Sequence, residues 1–243
     1  MKVGIIGFGR LGKLISKYLE EDFTVEIYDI NESVKAEVEA MGCHFKPLEE
    51  VCKNPIVIPF VPMNKFESVI EEIAPLLSKD ALIVDVCSVK EMPVNVMKKH
   101  LPETVSILAT HPMFGPDSAG ETLFGTKIAV CPVRIEDKYY QKICAFMRFH
   151  GIKVIETTAA EHDKQISHSL LLTHMIGRTL MDMDAKKLPI DTKGYRRLLK
   201  ILKTVENDSW ELFADMNEHN QYAKQTREDF LQSFNKVIKR LED

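Results

Sequence analysis

Two periodicities divide the chain. Over its first two-thirds, short runs rich in β-branched and aromatic residues occur at positions 2–6, 24–28, 56–59, 81–86, 105–109, 127–131 and 153–156. Between them, stretches such as 11–20, 32–41, 65–77 and 137–150 repeat their apolar residues at helical spacing. Strands that alternate with helices of this length need crossover connections, which predicts an α/β fold with a mostly parallel sheet. Consecutive apolar pairs such as Ile5-Ile6 and Ile83-Val84 fit strands covered by helices on both faces.

The pattern changes near Thr157. From there on no strand pattern recurs, and helical periodicity runs over about 159–187, 193–216 and 218–241, with Leu188-Pro189 separating the first two. The chain therefore reads as a doubly wound domain over residues 1–156 and an all-α domain over 157–243. Three helices bury little apolar surface alone, so the tail is expected to pack on the first domain, on a second copy of itself, or on both.

The first strand runs into Gly7-Phe8-Gly9-Arg10-Leu11-Gly12, which opens the first helix. The first glycine of such a loop permits a tight turn, the second a close backbone approach to a pyrophosphate, and the third close helix–strand packing. Backbone N–H groups and the helix dipole then favour a phosphate at this end. The second strand ends in Asp29, roughly 20 residues on, where a carboxylate bonds ribose hydroxyls and repels a 2′-phosphate. All six loop residues and Asp29 are thus predicted to bind a dinucleotide on a Rossmann-type sheet, with NAD favoured over NADP.

Composition narrows the partners. A formal net charge of −4 over 243 residues argues against nucleic acid, whose backbone calls for a basic stripe. No apolar run reaches the ~18 residues of a membrane span. The five cysteines, irregularly spaced and without a C-x-x-C, fit free thiols in a reducing compartment, hence a cytoplasmic protein without a zinc site.

In an open parallel sheet, ligands bind beyond the carboxyl ends of the strands. Two segments follow later strands there: Cys87-Ser88-Val89-Lys90-Glu91 and Thr110-His111-Pro112-Met113-Phe114-Gly115-Pro116-Asp117. Ser88 through Glu91 fits a helix capping box, a role compatible with a ligand contact. His111 stands at a strand end before a rigid turn, and an imidazole accepts a proton near neutral pH. In the helical tail, Ser167, His174 and Arg178 are spaced by seven and four and share one helical face. His162, Asp163 and His168 lack a compact metal-ligand spacing, and no metal is expected.

Taken together, these segments resemble the prephenate/arogenate dehydrogenase family of tyrosine biosynthesis. The likeness rests on the glycine loop, Asp85-Val86-Cys87-Ser88-Val89-Lys90, His111 through Ser118, Glu161-His162-Asp163, Thr173-His174, Gly177-Arg178, and Thr192-Lys193-Gly194-Tyr195. It implies a dinucleotide-binding domain, a helical dimerisation domain and a homodimer. It implies oxidative decarboxylation of a small cyclohexadienyl substrate, prephenate or arogenate, in which hydride passes to the nicotinamide, carbon dioxide leaves and the ring becomes aromatic. Carried over by position, His111 is the catalytic histidine, Ser88 orients it, His174 contacts the substrate, and Asp117 lies beside the substrate entrance. Lys200 stands where many prephenate-using members have an arginine, with Arg196 as an alternative cation, so the choice of ring substrate stays open. Two other readings remain: a small dehydrogenase of the β-hydroxyacid or pyrroline-carboxylate reductase type, and an NAD-sensing module without chemistry.

Overall fold

The computed structural model describes residues 1–242. The chain forms two compact units, Met1–Ala159 and the part from Ala160 onward. The division falls three residues past the boundary expected at 156, after the first residue of the tail's first helix.

The first unit is built on one sheet of eight strands: β1 (Lys2–Ile6), β2 (Thr24–Tyr28), β3 (His44–Phe45), β4 (Ile56–Pro59), β5 (Leu82–Asp85), β6 (Ser106–Pro112), β7 (Lys127–Arg134) and β8 (Lys153–Glu156). Their order is β3-β2-β1-β4-β5-β6-β7-β8. Every neighbouring pair is parallel except β6 with β7. The connecting helices are α1 (Arg10–Leu19), α2 (Lys35–Ala40), α3 (Leu48–Val51), α4 (Met63–Ile73), α5 (Glu91–His100), α6 (Pro116–Ala119) and α7 (Asp137–Phe149). All four residues of β5, and all of β1 after Lys2, are buried. That is what a strand covered on both faces requires. The strand order reverses between β1 and β4, so the crevice beyond their carboxyl ends is the place for a ligand.

Two details depart from the expected pattern. β3 has only two residues, too few to show an alternation. β6 and β7 each run three residues further than expected, because they pair antiparallel, β6 extended through Thr110↔Val130, His111↔Ala129 and Pro112↔Ile128 and β7 through Leu108↔Pro132 and Ile107↔Arg134. His111 therefore lies inside a strand, not in the loop after one. Thr110 and Pro112 line an apolar cavity of about 460 Å³ between the sheet and helices α1 and α7. Strand alternation turns His111, the residue between them, to the other face.

The second unit is helical. α8 (Ala159–Ile166) continues through a π-helical turn (Ser167–Leu171) into α9 (Leu172–Asp182) and is followed by α10 (Lys193–Val205), α11 (Trp210–Glu218) and α12 (Ala223–Glu242). The helix expected over 193–216 is two helices. Ser209 ends the first continuity by capping the second, its hydroxyl accepting from the N–H of Leu212 at 3.0 Å. α9 and α10 pack closely at Gly177, where an added Cβ would lie 2.4 Å from Val205 Cγ2. α12 leaves Leu231, Phe234, Val237, Ile238 and Leu241 exposed at spacings of three and four.

Candidate active site

The three loop glycines have separate causes. Gly7 has φ of 100°, and a Cβ there would sit 2.2 Å from the carbonyl oxygen of Phe60. A Cβ on Gly12 would sit 2.3 Å from the carbonyl oxygen of Gly7. Both glycines are demanded by the protein's own packing. Gly9 is not: no atom lies within 4 Å of its would-be Cβ. It is the extended N-cap of α1 and accepts no side-chain cap. Its bareness leaves the helix N-terminus open, and a phosphate with its charge fits there. Phe8 is buried and Leu11 packs against the apolar cluster of Leu14, Ala119 and Leu123, so these two offer a ligand their backbone.

Asp29 lies at the mouth of this loop. Its Oδ2 accepts from the N–H of Phe8 at 2.6 Å, and its Oδ1 accepts from the N–H of Asn31 at 2.8 Å. The carboxylate thus fastens β2 to the glycine loop, and each oxygen keeps a lone pair for a hydroxyl. The residues present fit a dinucleotide.

Beside β5 the structure corrects one reading and adds another. Helix α5 starts at Glu91 with Lys90 as its N-cap and no capping side chain, so Ser88 through Glu91 is not a capping box. Ser88 is instead half-buried between β5 and α5, flanked by the buried Cys87 and Val89. Lys90, which sequence reasoning treated only as part of a motif, is fully buried and ion-paired with the fully buried Asp85. Its ammonium also donates to the carbonyl oxygen of Thr110, the residue before His111. Thr110 Oγ1 donates back to the carbonyl oxygen of Asp85 at 2.7 Å, and the N–H of Cys87 donates to Asp85 Oδ1 at 2.7 Å. Burial pushes the Asp85 carboxyl up, and Lys90 pulls it back. The pair locks the start of the Ser88 segment to the strand that carries His111, which is itself buried. The signal available in the sequence was an Asp and a Lys five apart astride a strand end.

The turn after His111 docks on α1. Arg10 Nη2 donates to both carboxylate oxygens of Asp117, at 2.9 and 2.8 Å. Tyr18 Oη donates to the carbonyl oxygen of Ala119 at 2.8 Å. The structure thus brings together two residues predicted for different ligands, Arg10 for the cofactor and Asp117 for the substrate.

In the helical unit, His174 is buried and stacks on Phe213 at 5.9 Å, with interplanar angle 8°. Its Nε2 lies 3.6 Å from Asp208 Oδ2. Arg178, one turn on, stacks on Trp210 and Phe213 at 5.3 and 5.0 Å and donates to the carbonyls of Asp208 and Ser209. His174 Nδ1 and Arg178 Nε are buried without a hydrogen-bond partner among the described residues. Buried polar atoms of this kind are normally met by water or a ligand. Ser167, expected on the same row, faces elsewhere: its hydroxyl donates to the carbonyl of Lys164 and accepts from Thr226 Oγ1 at 3.1 Å. The π-helical turn between Ser167 and His174 breaks the 3.6-residue spacing on which that row was read. Arg196 is exposed and pairs with Asp191 at 3.2 Å, and Lys200 is exposed. Both lie on the side of α10 away from Gly177's contacts, Ile201 and Val205, so the structure does not bring either to the His174 cluster.

Burial, with Arg178 beside it, pushes the His174 imidazole down to about 4. The unfolded chain takes up this proton near pH 6.5 and the folded one does not, so stability is lost as pH falls between those values. The loss should reach about 3 kcal/mol. Replacing His174 with Phe, which keeps the stack, should flatten that part of the profile. Urea melts of both proteins at pH 7 and pH 4.5 check this, and equal acid sensitivity would count against a neutral buried His174.

The family described as prephenate dehydrogenase, nucleotide-binding domain, matches residues 15–156, and a TYRAAT1-like C-terminal domain matches residues 179–243. Arogenate dehydrogenase 1 and 2 of Arabidopsis thaliana, both chloroplastic, are each 31% identical, over 96% and 99% of this chain. A probable arogenate/prephenate dehydrogenase of Methanocaldococcus jannaschii is 30% identical over 95% of the chain. The chain spans 38%, 70% and 54% of those three relatives. In fold it is similar to a prephenate dehydrogenase from A. aeolicus solved with hydroxyphenyl propionate and NAD+, with TM-score 0.78 at 19% identity over 100% of this chain and 92% of that one. Synechocystis arogenate dehydrogenase gives 0.72 at 20% identity, over 100% and 92%. No helix among the described residues is long and apolar enough to cross a membrane. With a matching nucleotide-binding domain over more than half its length and a relative sharing 31% identity across nearly all of it, the chain belongs to the prephenate dehydrogenase family.

Proposed function

We propose that this protein is an NAD-dependent dehydrogenase that oxidatively decarboxylates a cyclohexadienyl acid, prephenate or arogenate, in tyrosine biosynthesis. The observation that carries the reading is His111: a buried imidazole inside β6, held by the Lys90 bond to Thr110, on the sheet whose switch point carries the open glycine loop. The names of the relatives, arogenate and prephenate dehydrogenases, support the substrate class.

The loop from Gly7 to Gly12 would hold the pyrophosphate and Asp29 the ribose hydroxyls. When bound, the nicotinamide supplies an acceptor for the hydride of the hydroxyl-bearing ring carbon. His111, as the neutral imidazole, takes the hydroxyl proton, so the C–O bond gains carbonyl character as the hydride departs. The ring C–carboxylate bond then breaks, its electron pair enters the ring, and carbon dioxide leaves. Aromatisation drives that step, which needs no Lewis acid. Ser88, half-buried after β5, would orient the same hydroxyl. His174, a substrate contact by resemblance, would act as an uncharged group, since burial keeps it neutral above about pH 4. Asp29 favours NAD because a 2′-phosphate beside its carboxylate is repelled. The exposed apolar stripe on α12 supports a homodimer through the helical unit.

Steady-state kinetics with prephenate and arogenate, each with NAD and NADP, test the reading. Reduction of NAD coupled to carbon dioxide release is expected with at least one ring substrate, and none with a panel of aliphatic hydroxy acids. Turnover confined to the hydroxy acids would overturn it in favour of a β-hydroxyacid dehydrogenase.

A further inference from the structure

The Arg10–Asp117 pair links two segments that the proposed chemistry treats separately. Arg10 is the first residue of α1, directly after the open Gly9, at the end of the helix where a phosphate fits. Asp117 belongs to the turn that follows the His111 strand. The guanidinium engages both carboxylate oxygens, and both side chains are about half exposed, at 50% and 48%. The turn is otherwise held on α1 by Tyr18 and by the packing of Leu14 with Ala119 and Leu123. Removal of the ion pair therefore leaves the turn docked.

A guanidinium forks equally well onto a carboxylate or a phosphate. We infer that Asp117 is an internal competitor for the cofactor: its carboxylate holds the Arg10 guanidinium that would otherwise pair with the dinucleotide phosphate. This rests on the cofactor reading above. Binding of the dinucleotide draws Arg10 off Asp117 and leaves that carboxylate facing the substrate side of the turn. Cofactor occupancy is then reported to the segment after His111 by exchange of one ion pair, with no shift of the sheet. An exposed pair contributes little in water, so the exchange is readily reversible.

Direct binding measured by calorimetry, without substrate, tests the inference with three probes: NAD, ADP-ribose and adenosine. Asp117→Asn should tighten NAD and ADP-ribose by roughly two- to fivefold, the range open to one exposed ion pair, and leave adenosine unchanged. Arg10→Gln should weaken the two phosphate-bearing probes. In the Arg10→Gln background, Asp117→Asn should have no further effect. The inference fails if Asp117→Asn binds NAD no better than the parent. It also fails if the gain persists without Arg10, which would mark simple removal of a nearby negative charge, or if adenosine gains equally. Failure of the parent protein to bind NAD at all would instead remove the cofactor reading, and this inference with it.

Discussion

His111→Asn is expected to lower turnover by roughly two to four orders of magnitude, the range for loss of a positioned general base. Asparagine is shorter than histidine but keeps a polar group near the Nδ1 position, and it cannot take up a proton. The strand should survive the change. His111 is held by its backbone pairing with Ala129, and the Lys90 bond goes to the carbonyl of Thr110, so neither contact depends on the imidazole. Cofactor binding should be nearly unchanged, because the glycine loop and Asp29 belong to other elements of the sheet. The informative result is therefore a split, with kcat collapsed and the dissociation constant for NAD preserved. Retained turnover would remove the catalytic role, and lost NAD binding would show that His111 belongs to the cofactor site instead.

The geometry of the glycine loop was legible because local sequence determines it. Gly7, Gly9, Gly12 and Asp29 lie within one strand–helix–strand unit, and their spacing alone fixes what each can do. Most strands were legible for the same reason, since each buries an apolar run flanked by turn residues. What stayed hidden depends on partners distant in sequence. The antiparallel pairing that carries β6 through His111 to Pro112 comes from β7, and no alternation pattern encodes a partner's direction. Lys90 and Asp85 entered only as members of a motif, because nothing local reveals that both are buried and satisfy each other. The shared row of Ser167, His174 and Arg178 assumed an unbroken helix, and one π-helical turn undid it. Arg196 and Lys200 were placed by motif alignment, and their exposed side of α10 shows how little alignment says about direction.

The buried pair supplies the largest stability effect. Lys90→Met should destabilise the first unit by about 3–5 kcal/mol at neutral pH, because it leaves the Asp85 carboxylate buried without its counter-charge. The loss should depend on pH in a definite direction. Without Lys90, burial is opposed by the N–H and thiol of Cys87, and it raises the Asp85 carboxyl well above its ordinary value. The folded variant then binds a proton that the unfolded chain releases near pH 4, so its stability is greatest in acid and declines as pH rises through that window. The parent, in which Lys90 opposes that rise, should show a smaller decline. Lys90→Met combined with Asp85→Leu should recover much of the loss, since replacing both ions with apolar groups is often neutral where removing one is costly. Recovery of stability need not bring back turnover. The double variant has no donor for the carbonyl of Thr110, and so no fixed anchor one residue from His111. Urea melts at pH 5 and pH 8 on the parent, the single and the double variant, with kcat measured on the same samples, separate the two roles. A double variant with both stability and kcat restored would show that the pair serves packing alone. Stability without kcat would assign Lys90 to the positioning of His111.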